Sequence, residues 1–518
     1  MACDDDKKSG ESIPSSANLA GFSTSDSGAM MTPDQARMIA RSGEDNVVAV
    51  LLAHSAQSAQ QNVQIARLER KIAQLSKNSS NSSKRPSSDD LTKPPGKKPP
   101  VKTQNKRKIG GQPGHTRHER APFSHEQIDE FHDYIQDACP DCCGSVDLTG
   151  GEVKVIQQLD LVDVPLRRIE HRSYPVRCRE CDHIHYLPFP SELIKAGLFS
   201  ARLTAFVAYQ HKVCHASFST IRVFIRDILG ETVSRGYLRK LIAKVSEALA
   251  DPYEELLAQL PLSTVVNVDE TGHKENGKPF WTWVFRTELF VLFKIDKSRG
   301  SKVVIDVLGE HFDGVLGCDY FSAYCKYMKD FDITVQFCLA HLIRNVRYLL
   351  SLPEVESKAY GERLLSALRE LFKVIHQADE LSESSFNAAL EKARSKVLSA
   401  AQEDLPSRLD SNGKEHFNEV HNLAKRFRLH GHAYFQFITT PEVDPTNNVA
   451  EQAVRFIVID RHISQGTRSK AGRESSERLW TIIGTCAIQG RSAYQFILAA
   501  VDAFFRGKSP PSLLPAPT

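Results

Sequence analysis

Two short apolar runs, each ending on an acid, limit the fold more than any other feature of the sequence. Val265–Asp269 is rich in β-branched residues, which predicts a buried strand with a carboxylate at its carboxyl end. Gly314–Asp319 repeats this pattern after residues 301–312, whose apolar positions have helical spacing. A connection of strand, helix and parallel strand is right-handed and brings both strand ends to one edge of the sheet. We therefore expect Asp269 and Asp319 to lie side by side.

Two more strands are predicted between these runs. Asn276-Gly277 favours a hairpin turn, and the apolar runs Trp281–Phe285 and Phe290–Phe293 follow it. The first three strands should form an antiparallel meander, so the sheet as a whole is mixed. Glu270 follows Asp269 directly and should point to the opposite face of the strand.

A third acid, Glu451, lies far along the chain. Glu451, Val454 and Val458 fall at positions i, i+3 and i+7 of a predicted helix, which places the carboxylate on its inward, apolar face. One interpretation is a third ligand in a metal site. The other is a capping box, with Asn448 as the N-cap and Arg455 pairing with Glu451 at i+4.

Three carboxylates of this kind suit phosphoryl transfer. Acids at adjacent strand ends can bridge two divalent cations about 3.5 to 4 Å apart, which activate an attacking oxygen and stabilise the leaving one. Mg²⁺ or Mn²⁺ fits such a site, because hard cations of this size bind through carboxylate oxygens and keep several waters.

Two Cys-x-x-Cys pairs predict a second metal. Four thiolates suit tetrahedral, structural Zn²⁺, with no open position for catalysis. The residues between the pairs alternate in a manner typical of the strands of a zinc ribbon, and Cys143, His183 and His185 are further possible donors. A metal-free cluster of reduced thiols is the alternative. The expected ligands are Cys139, Cys142, Cys178 and Cys181.

The positive charge is concentrated in one segment. Residues 84–120 hold eleven Lys or Arg against three acids, a net charge of +8 within a chain whose total is +3. Its Pro pairs predict an extended tether, and its charge favours a polyanion such as nucleic acid, unless it is only a solvated linker. Arg107, Lys108 and His115 are the candidate DNA contacts here.

Helices are predicted on both sides of the tether and zinc region. Ile65, Leu68, Ile72 and Leu75 repeat at spacings of 3, 4 and 3, which indicates either a coiled coil or a packed surface helix. Residues 217–245 indicate a helix, a turn and a second helix that carries Arg235 and Arg239. This pair either reads DNA or is an ordinary helical pair within a larger domain.

Composition narrows the class of protein. At 518 residues the chain should contain three or more folded units. No apolar stretch reaches the ~18 residues of a membrane helix, and residues 1–6 do not resemble an export signal. We expect a cytoplasmic, bacterial protein that is associated with the nucleoid when it is bound to DNA. Eleven unevenly spaced cysteines favour reduced thiols over disulfides.

The motifs together resemble a known family. Asp269-Glu270-Thr271, Cys318-Asp319-Tyr320, Cys338-Leu339-Ala340-His341 and Pro445-Thr446-Asn447-Asn448-Val449-Ala450-Glu451 occur in the order seen in the transposase family of insertion sequence 66. The resemblance extends from the helix that precedes the tether to Gly484-Thr485-Cys486.

This resemblance implies a fold and an activity. It implies a ribonuclease-H-like mixed sheet core with the triad Asp269, Asp319 and Glu451 and a helical insertion before the glutamate. The protein would be a DNA transposase that binds element ends and performs metal-dependent strand cleavage and strand transfer. Its partners would be double-stranded terminal repeats and target DNA, further copies of the chain, and accessory proteins of the same element. A zinc-containing DNA-binding regulator without catalysis, or a structure-specific nuclease of the same fold, is the alternative.

The resemblance also suggests roles for basic residues near the acids. His341 and Arg344 would contact a phosphate or the leaving 3′ oxygen, although His341 could equally pack against the sheet. The stretch that follows the Glu451 helix, together with Arg455, would contact donor-end phosphates or form a solvated loop. Its basic residues are Arg461, Arg468, Lys470 and Arg473.

These inferences divide the chain into nine segments. We expect disorder over 1–45, a helix that could form a coiled coil over 46–77, the basic tether over 78–120, a zinc-ribbon-like DNA-binding domain over 121–195, a helical region resembling helix-turn-helix over 196–262, the first part of the catalytic core over 263–340, a helical insertion over 341–440, the second part of the core over 441–506, and a disordered tail over 507–518.

Overall fold

The structure is a computed structural model, and its description covers most of the chain from residue 32 onward. The described residues are 32–78, 81, 121–133, 135, 141, 143, 153, 155–158, 165–177, 179–180, 183–378, 380–402, 408–409, 415–416 and 419–515. They divide into two compact units, one made of residues up to 77 together with 351–358, and one made of the remainder. None of the helices in this described part is long and apolar enough to span a membrane.

The first unit is built on two helices, α1 (Pro33–Arg41) and α2 (Glu44–Leu75). The predicted disorder over 1–45 is wrong for the residues that form α1. A capping box starts this helix, since Thr32 N donates to Gln35 Oε1 at 2.9 Å and Thr32 Oγ1 accepts from Gln35 N at 3.3 Å. In α2, the four residues of the predicted coiled-coil seam, Ile65 to Leu75, are all more than half exposed.

The second unit begins with a small hairpin and five helices. Strands β1 (Pro175–Arg177) and β2 (Ile184–Tyr186) pair in antiparallel fashion on either side of the second Cys-x-x-Cys pair. The helices that follow are α3 (Ser191–Ala196), α4 (Ala201–Lys212), α5 (Phe218–Asp227), α6 (Arg235–Ala248) and α7 (Ala250–Gln259). Helices α5 and α6 are the predicted helical pair, and Ser217 and Ser234 cap them.

A five-stranded mixed sheet forms the centre of this unit. Its elements are β3 (Val265–Glu275), β4 (Lys278–Arg286), β5 (Val291–Asp296), α8 (Lys302–Leu308), β6 (Val315–Cys318), α9 (Ser322–Phe331) and β7 (Val335–Phe337). The strand order is β5-β4-β3-β6-β7, with β3, β4 and β5 antiparallel and β3, β6 and β7 parallel. The predicted meander and the predicted parallel neighbour are both confirmed.

Mostly helical structure follows the sheet. Its elements are α10 (Leu339–Leu349), α11 (Val355–Ile375), α12 (Glu383–Ala401), the two-residue strands β8 (Arg408–Leu409) and β9 (Glu415–His416), α13 (Glu419–His430), α14 (Gln436–Thr439), α15 (Asn448–Ser464), α16 (Lys470–Ile488) and α17 (Ala493–Phe505). Helix α15 carries Glu451, and α10 to α14 occupy the chain between β7 and α15.

Two predicted boundaries differ from the structure. Asp269 lies in the middle of β3, because the antiparallel pairing with β4 continues to Glu275 whereas the parallel pairing with β6 ends at Asn267. The predicted disordered tail is ordered as far as residue 515, since Leu513 is buried and its carbonyl accepts a hydrogen bond from Gln489 Nε2 at 2.8 Å.

Helix α16 closes the open edge of the sheet at β5. The backbone N–H groups of Val291, Phe293 and Ile295 donate to Thr485 Oγ1, Thr481 Oγ1 and Glu477 Oε1 at 3.2, 3.0 and 2.5 Å. Alternate strand residues are about 6.7 Å apart and every fourth helix residue about 6 Å apart, so the two repeats match. An edge strand that would otherwise expose unpaired donors is therefore satisfied by side chains.

The same helix packs against one face of the sheet. Val284, Val291, Phe293 and Ile295 form a core with Val454 and Ile457 of α15 and Trp480 of α16. Gly484 permits this approach, because a Cβ atom there would lie 2.5 Å from Val291 Cγ1. The apolar face of α15 is thereby fixed against β3 and β4.

Replacing Thr481 by Val tests the edge closure. The two side chains have nearly the same shape, but Thr481→Val leaves the buried Phe293 N–H without an acceptor. We expect the free energy of unfolding to fall by about 1–3 kcal/mol in urea denaturation. Thr232 is exposed, so Thr232→Val serves as the control and should change it by less than about 0.5 kcal/mol. Equal effects of the two substitutions would contradict this account of the edge.

Candidate active site

Asp269 and Asp319 are brought together by the pairing of β3 with β6. In this parallel register Asn267 lies opposite Gly317, so the positions two residues further on are those of Asp269 and Asp319. Gly317 leaves room for the Asn267 side chain, because a Cβ atom there would lie 2.1 Å from Asn267 Oδ1. The structure thus places the two aspartates at neighbouring positions on adjacent strands.

Glu270 faces the other way, as expected from its place after Asp269. Its Oε2 accepts a hydrogen bond from Tyr324 OH at 2.5 Å, and its Oε1 is 2.8 Å from Arg299 Nη2. The Arg299 guanidinium lies over the rings of Trp281 and Phe321 at 4.4 and 4.2 Å. Glu270 is fully buried, and Arg299 balances its charge inside the protein, so its role is structural.

Three negative charges lie near the Tyr324 hydroxyl. Burial raises the pKa of Tyr324 well above its usual value, and the charges of Glu270, Asp319 and Asp269 raise this pKa further. The buried phenol therefore stays protonated and donates its hydrogen bond to Glu270.

The helix that carries Glu451 is anchored to this edge of the sheet just before it begins. Asn447 Nδ2 donates to Val268 O at 2.8 Å, and Asn447 N donates to Cys338 Sγ at 3.1 Å. In addition, Leu339 N donates to Pro445 O at 2.9 Å. These bonds join the start of α15 to β3 next to Asp269 and to the end of β7.

Glu451 is held by two basic residues of α10. Its carboxylate lies 3.2 Å from Arg344 Nη2 and 3.5 Å from His341 Nε2, and all three side chains are more than four-fifths buried. The alternative interpretation of Glu451, a capping box with Asn448 as the N-cap, is wrong, because Asn447 is the N-cap and makes no side-chain cap bond. Arg455 is exposed. The partners of Glu451 come from a helix 107 residues away in sequence.

The donor chemistry of this edge suits a divalent cation. Asp269 and Asp319 offer the hard oxygen ligands that Mg²⁺ and Mn²⁺ prefer. Glu451 is turned toward Arg344 and His341 instead, and within the described residues no three His, Cys, Asp or Glu side chains are grouped as a metal site. Asp269 and Asp319 are therefore suitable ligands for such a metal. In this arrangement the Glu451 carboxylate pairs instead with Arg344 and His341.

Arg426 of α13 is a residue that the sequence did not indicate. It is only 8% exposed, its guanidinium lies 3.9 Å from the ring centre of Tyr320, and neither Nε nor Nη2 has a hydrogen-bond partner among the described residues. Burial lowers the pKa of Arg426 to about 10, while the charges of Tyr320 and Asp319 oppose that shift. Helix α13 thus places the Arg426 guanidinium, which is still protonated at neutral pH, beside Tyr320, the residue that follows Asp319.

Besides His341, Arg344 and Arg455, the predicted DNA contacts fall into three groups. Arg461 and Arg473 are engaged with β3, since Arg461 donates to Thr271 Oγ1 at 3.1 Å and Arg473 Nη1 lies 3.5 Å from Glu275 Oε2. Arg235 and Arg239 are exposed at the start of α6. The remaining tether contacts, and the four cysteines expected to bind zinc, lie outside the described residues: Arg107, Lys108, His115, Cys139, Cys142, Cys178 and Cys181.

Comparison with known proteins identifies the class. Residues 196–475 match the Transposase IS66 family, and residues 136–182 match the zinc-finger binding domain of transposase IS66. Residues 31–121 match a family of unknown function. The first of these matches covers more than half of the chain. It includes helices α5 and α6, the five strands of the central sheet, and Asp269, Asp319 and Glu451.

The chain therefore belongs to the IS66 transposase family. Its zinc-finger domain supports a bound Zn²⁺ and supports DNA as the partner.

Two relatives from Sinorhizobium fredii are similar over most of their length. The uncharacterized protein y4qI is 24% identical over 419 residues, which are 75% of each chain. The uncharacterized protein y4hP is 21% identical over 376 residues, which are 67% of each chain.

Substituting Asn447 tests the anchor of the Glu451 helix. Asn447→Ala removes the donor to Val268 O, so we expect the free energy of unfolding to fall by about 1 kcal/mol. If cleavage depends on this alignment, a displacement of about 1 Å at Glu451 should lower the rate of DNA strand cleavage by about 10²-fold with little change in DNA affinity.

Asn448 is exposed and adjacent, so Asn448→Ala is the matched control and should leave both quantities nearly unchanged. An Asn447→Ala protein that cleaves as fast as the unaltered protein would show that the anchor does not position Glu451.

Proposed function

We propose that this transposase binds the ends of its element, cleaves one strand there, and joins the freed 3′ end to target DNA. The observation that carries the proposal is the pairing of β3 with β6, which sets Asp269 beside Asp319, together with the anchoring of the Glu451 helix to the same strand. This pairing and this anchor support a single site for the three acids, although they are distant in sequence.

We propose further that the sheet and its helices form a ribonuclease-H-like core. Support comes from the strand order, in which an antiparallel meander is extended by two parallel strands that each follow a helix. The predicted segment boundaries are part of this proposal, with residues 263–340 and 441–506 as the core and residues 341–440 as the insertion.

Asp269, Asp319 and Glu451 would hold Mg²⁺ or Mn²⁺. Such ions supply activation of the attacking oxygen and stabilisation of the leaving oxygen at phosphorus. To join the aspartates, Glu451 must give up its contacts with Arg344 and His341. We propose that a DNA phosphate takes its place at these two residues, because an anion is the partner that Arg344 then lacks.

Arg426 would stabilise charge at the same site. Its buried Nε and Nη2 lack acceptors among the described residues, and an oxyanion of the DNA backbone would supply them. The stacking of Arg426 on Tyr320 holds the guanidinium in place before DNA arrives.

Binding of the element ends is proposed for the segments that precede the core. The basic tether and the zinc domain, with Cys139, Cys142, Cys178 and Cys181 as ligands, would contact the terminal repeats. The exposed seam of α2 would pair with a second copy of the chain as a coiled coil. We propose that the protein acts on DNA in the cytoplasm, together with accessory proteins of the element.

Substituting Asp269 tests the catalytic proposal. Asp269→Asn removes a metal ligand while keeping the shape of the side chain, so Mg²⁺-dependent cleavage of DNA that carries the element ends should fall at least 10³-fold. Affinity for those ends, measured by gel shift, should stay within about twofold. Asp306→Asn, which changes an exposed aspartate of α8, should cleave at the normal rate.

Three results would contradict the proposal in different ways. Normal cleavage by Asp269→Asn would refute the metal assignment. Specific end binding by the unaltered protein without any nicking in Mg²⁺ would indicate a DNA-binding regulator. Cleavage of branched DNA without strand-transfer products would indicate a nuclease of the same fold.

A further inference from the structure

A cavity of about 910 Å³ lies away from the three acids. It is bordered by the end of α4, the starts of α5 and α6, and the segment that joins α15 to α16. Its volume is within the range of about 300–1,000 Å³ that is typical of ligand sites. Asp269, Asp319 and Glu451 are not among its lining residues, so it is a site separate from the candidate active site.

The charges that line this cavity are mostly positive. Five cations and a single acid, Asp460, border it; the cations are Lys212, Arg235, Arg239, Lys240 and Arg468. Asp460 is neutralised within the floor, where its Oδ2 lies 2.9 Å from Lys212 Nζ and accepts a hydrogen bond from Trp480 Nε1 at 3.0 Å. Four positive charges therefore remain around the opening.

Within the described residues, none of these four cations has a partner of opposite charge. Arg235, Arg239, Lys240 and Arg468 are exposed, and no ion pair joins any of them to another described residue. Cations gathered around one concave surface repel one another unless an anion lies between them. The cavity therefore favours a ligand that carries several negative charges.

Helix starts add to this preference. Ser217 and Ser469, the N-caps of α5 and α16, line the cavity, as does the first turn of α6. Free backbone N–H groups and the helix dipole favour anions at such positions. Three helices of 10, 14 and 19 residues thus begin at the border of one cavity that also carries four cations.

One wall of the cavity offers a flat, uncharged surface. The His211 ring is stacked on Phe218, with ring centres 4.5 Å apart and an angle of 22° between the planes. Burial lowers the pKa of His211 to about 4, so the imidazole is neutral at pH 7. Both rings are half-buried and border the cavity, which suits them to stack on a nucleobase.

We propose that this cavity binds a single-stranded segment of DNA, with phosphates at the four cations and a base against His211 and Phe218. The proposal rests on the proposed function, because strand cleavage at an element end frees a strand end that can separate from its complement. It differs from duplex reading by α6, since Arg235 and Arg239 border a concave surface instead of entering a major groove about 12 Å wide.

Photo-cross-linking of the full chain tests this site. A short single-stranded oligonucleotide carrying 5-iododeoxyuridine is mixed with the zinc-loaded protein in buffer without Mg²⁺ or Mn²⁺, which prevents metal-dependent cleavage, and the cross-linked peptides are identified by mass spectrometry. We expect cross-links to Phe218 and to the segment that joins α15 to α16. A duplex of the same sequence should give at most a tenth of the yield at these positions.

Charge variants provide the matched comparison. Arg235→Gln with Arg239→Gln should lower the cross-link yield about tenfold and reduce the slope of log affinity against log salt for single strands by about 1.4, at about 0.7 per lost contact. Arg235→Lys with Arg239→Lys keeps the charge and should retain most of the yield. Arg226→Gln removes an exposed cation of α5 that does not line the cavity and should change neither quantity.

The outcomes separate this proposal from the proposed function. Cross-links confined to other segments, or a Gln double variant that folds normally by circular dichroism and still cross-links fully, would overturn the cavity as a single-strand site. An equal loss of duplex affinity would show that α6 reads duplex DNA and would also overturn it. If the unaltered chain bound neither single-stranded nor duplex DNA, the proposed function would fail and this inference with it.

Discussion

The contacts of Pro445 and Asn447 with the sheet are the constraint on which the rest of the site depends. After an excursion of more than a hundred residues, the chain returns to the sheet through bonds to Val268, Cys338 and Leu339. Because α15 begins immediately afterwards, these bonds determine where Glu451 lies relative to Asp269. Each is an ordinary hydrogen bond that contributes about 1 kcal/mol. Together the bonds hold the start of α15 against the sheet in one position.

Helix α16 likewise has more than one structural role, beginning at the outer strand β5 of the sheet. Helix α16 satisfies the open donors of β5 through Glu477, Thr481 and Thr485, and its Trp480 packs with α15 in the core. The helix that covers the edge therefore also supports the helix that carries the third acid. Its N-terminus borders the basic cavity, so the sheet edge, the acid helix and the proposed single-strand site share one structural element.

Local patterns in the sequence predicted the sheet well and the partners of its acids poorly. The β-branched runs and the right-handed crossover rule were enough to predict that β3 and β6 are parallel neighbours. The contacts of Glu451 with Arg344 and His341 join helices 107 residues apart, and periodicity carries no information about such pairs. Arg426 was missed for the same reason. The extension of β3 beyond Asp269 was missed because Thr271 to Glu275 lack the strong apolar alternation of the strand before them.

The proposed catalytic site requires Glu451 to leave Arg344 and His341 and to share a divalent ion with Asp269 and Asp319. Titration with Mn²⁺ of the full chain bound to DNA that carries the element ends, followed by electron paramagnetic resonance, measures this directly. We expect Asp269→Asn, Asp319→Asn and Glu451→Gln each to weaken Mn²⁺ binding at least tenfold, which is about 1.4 kcal/mol of binding free energy. Glu310→Gln, at an exposed position, should leave Mn²⁺ binding unchanged. Unchanged Mn²⁺ affinity in Glu451→Gln would contradict the proposed site, because Glu451 would then be only an ion-pair partner of α10.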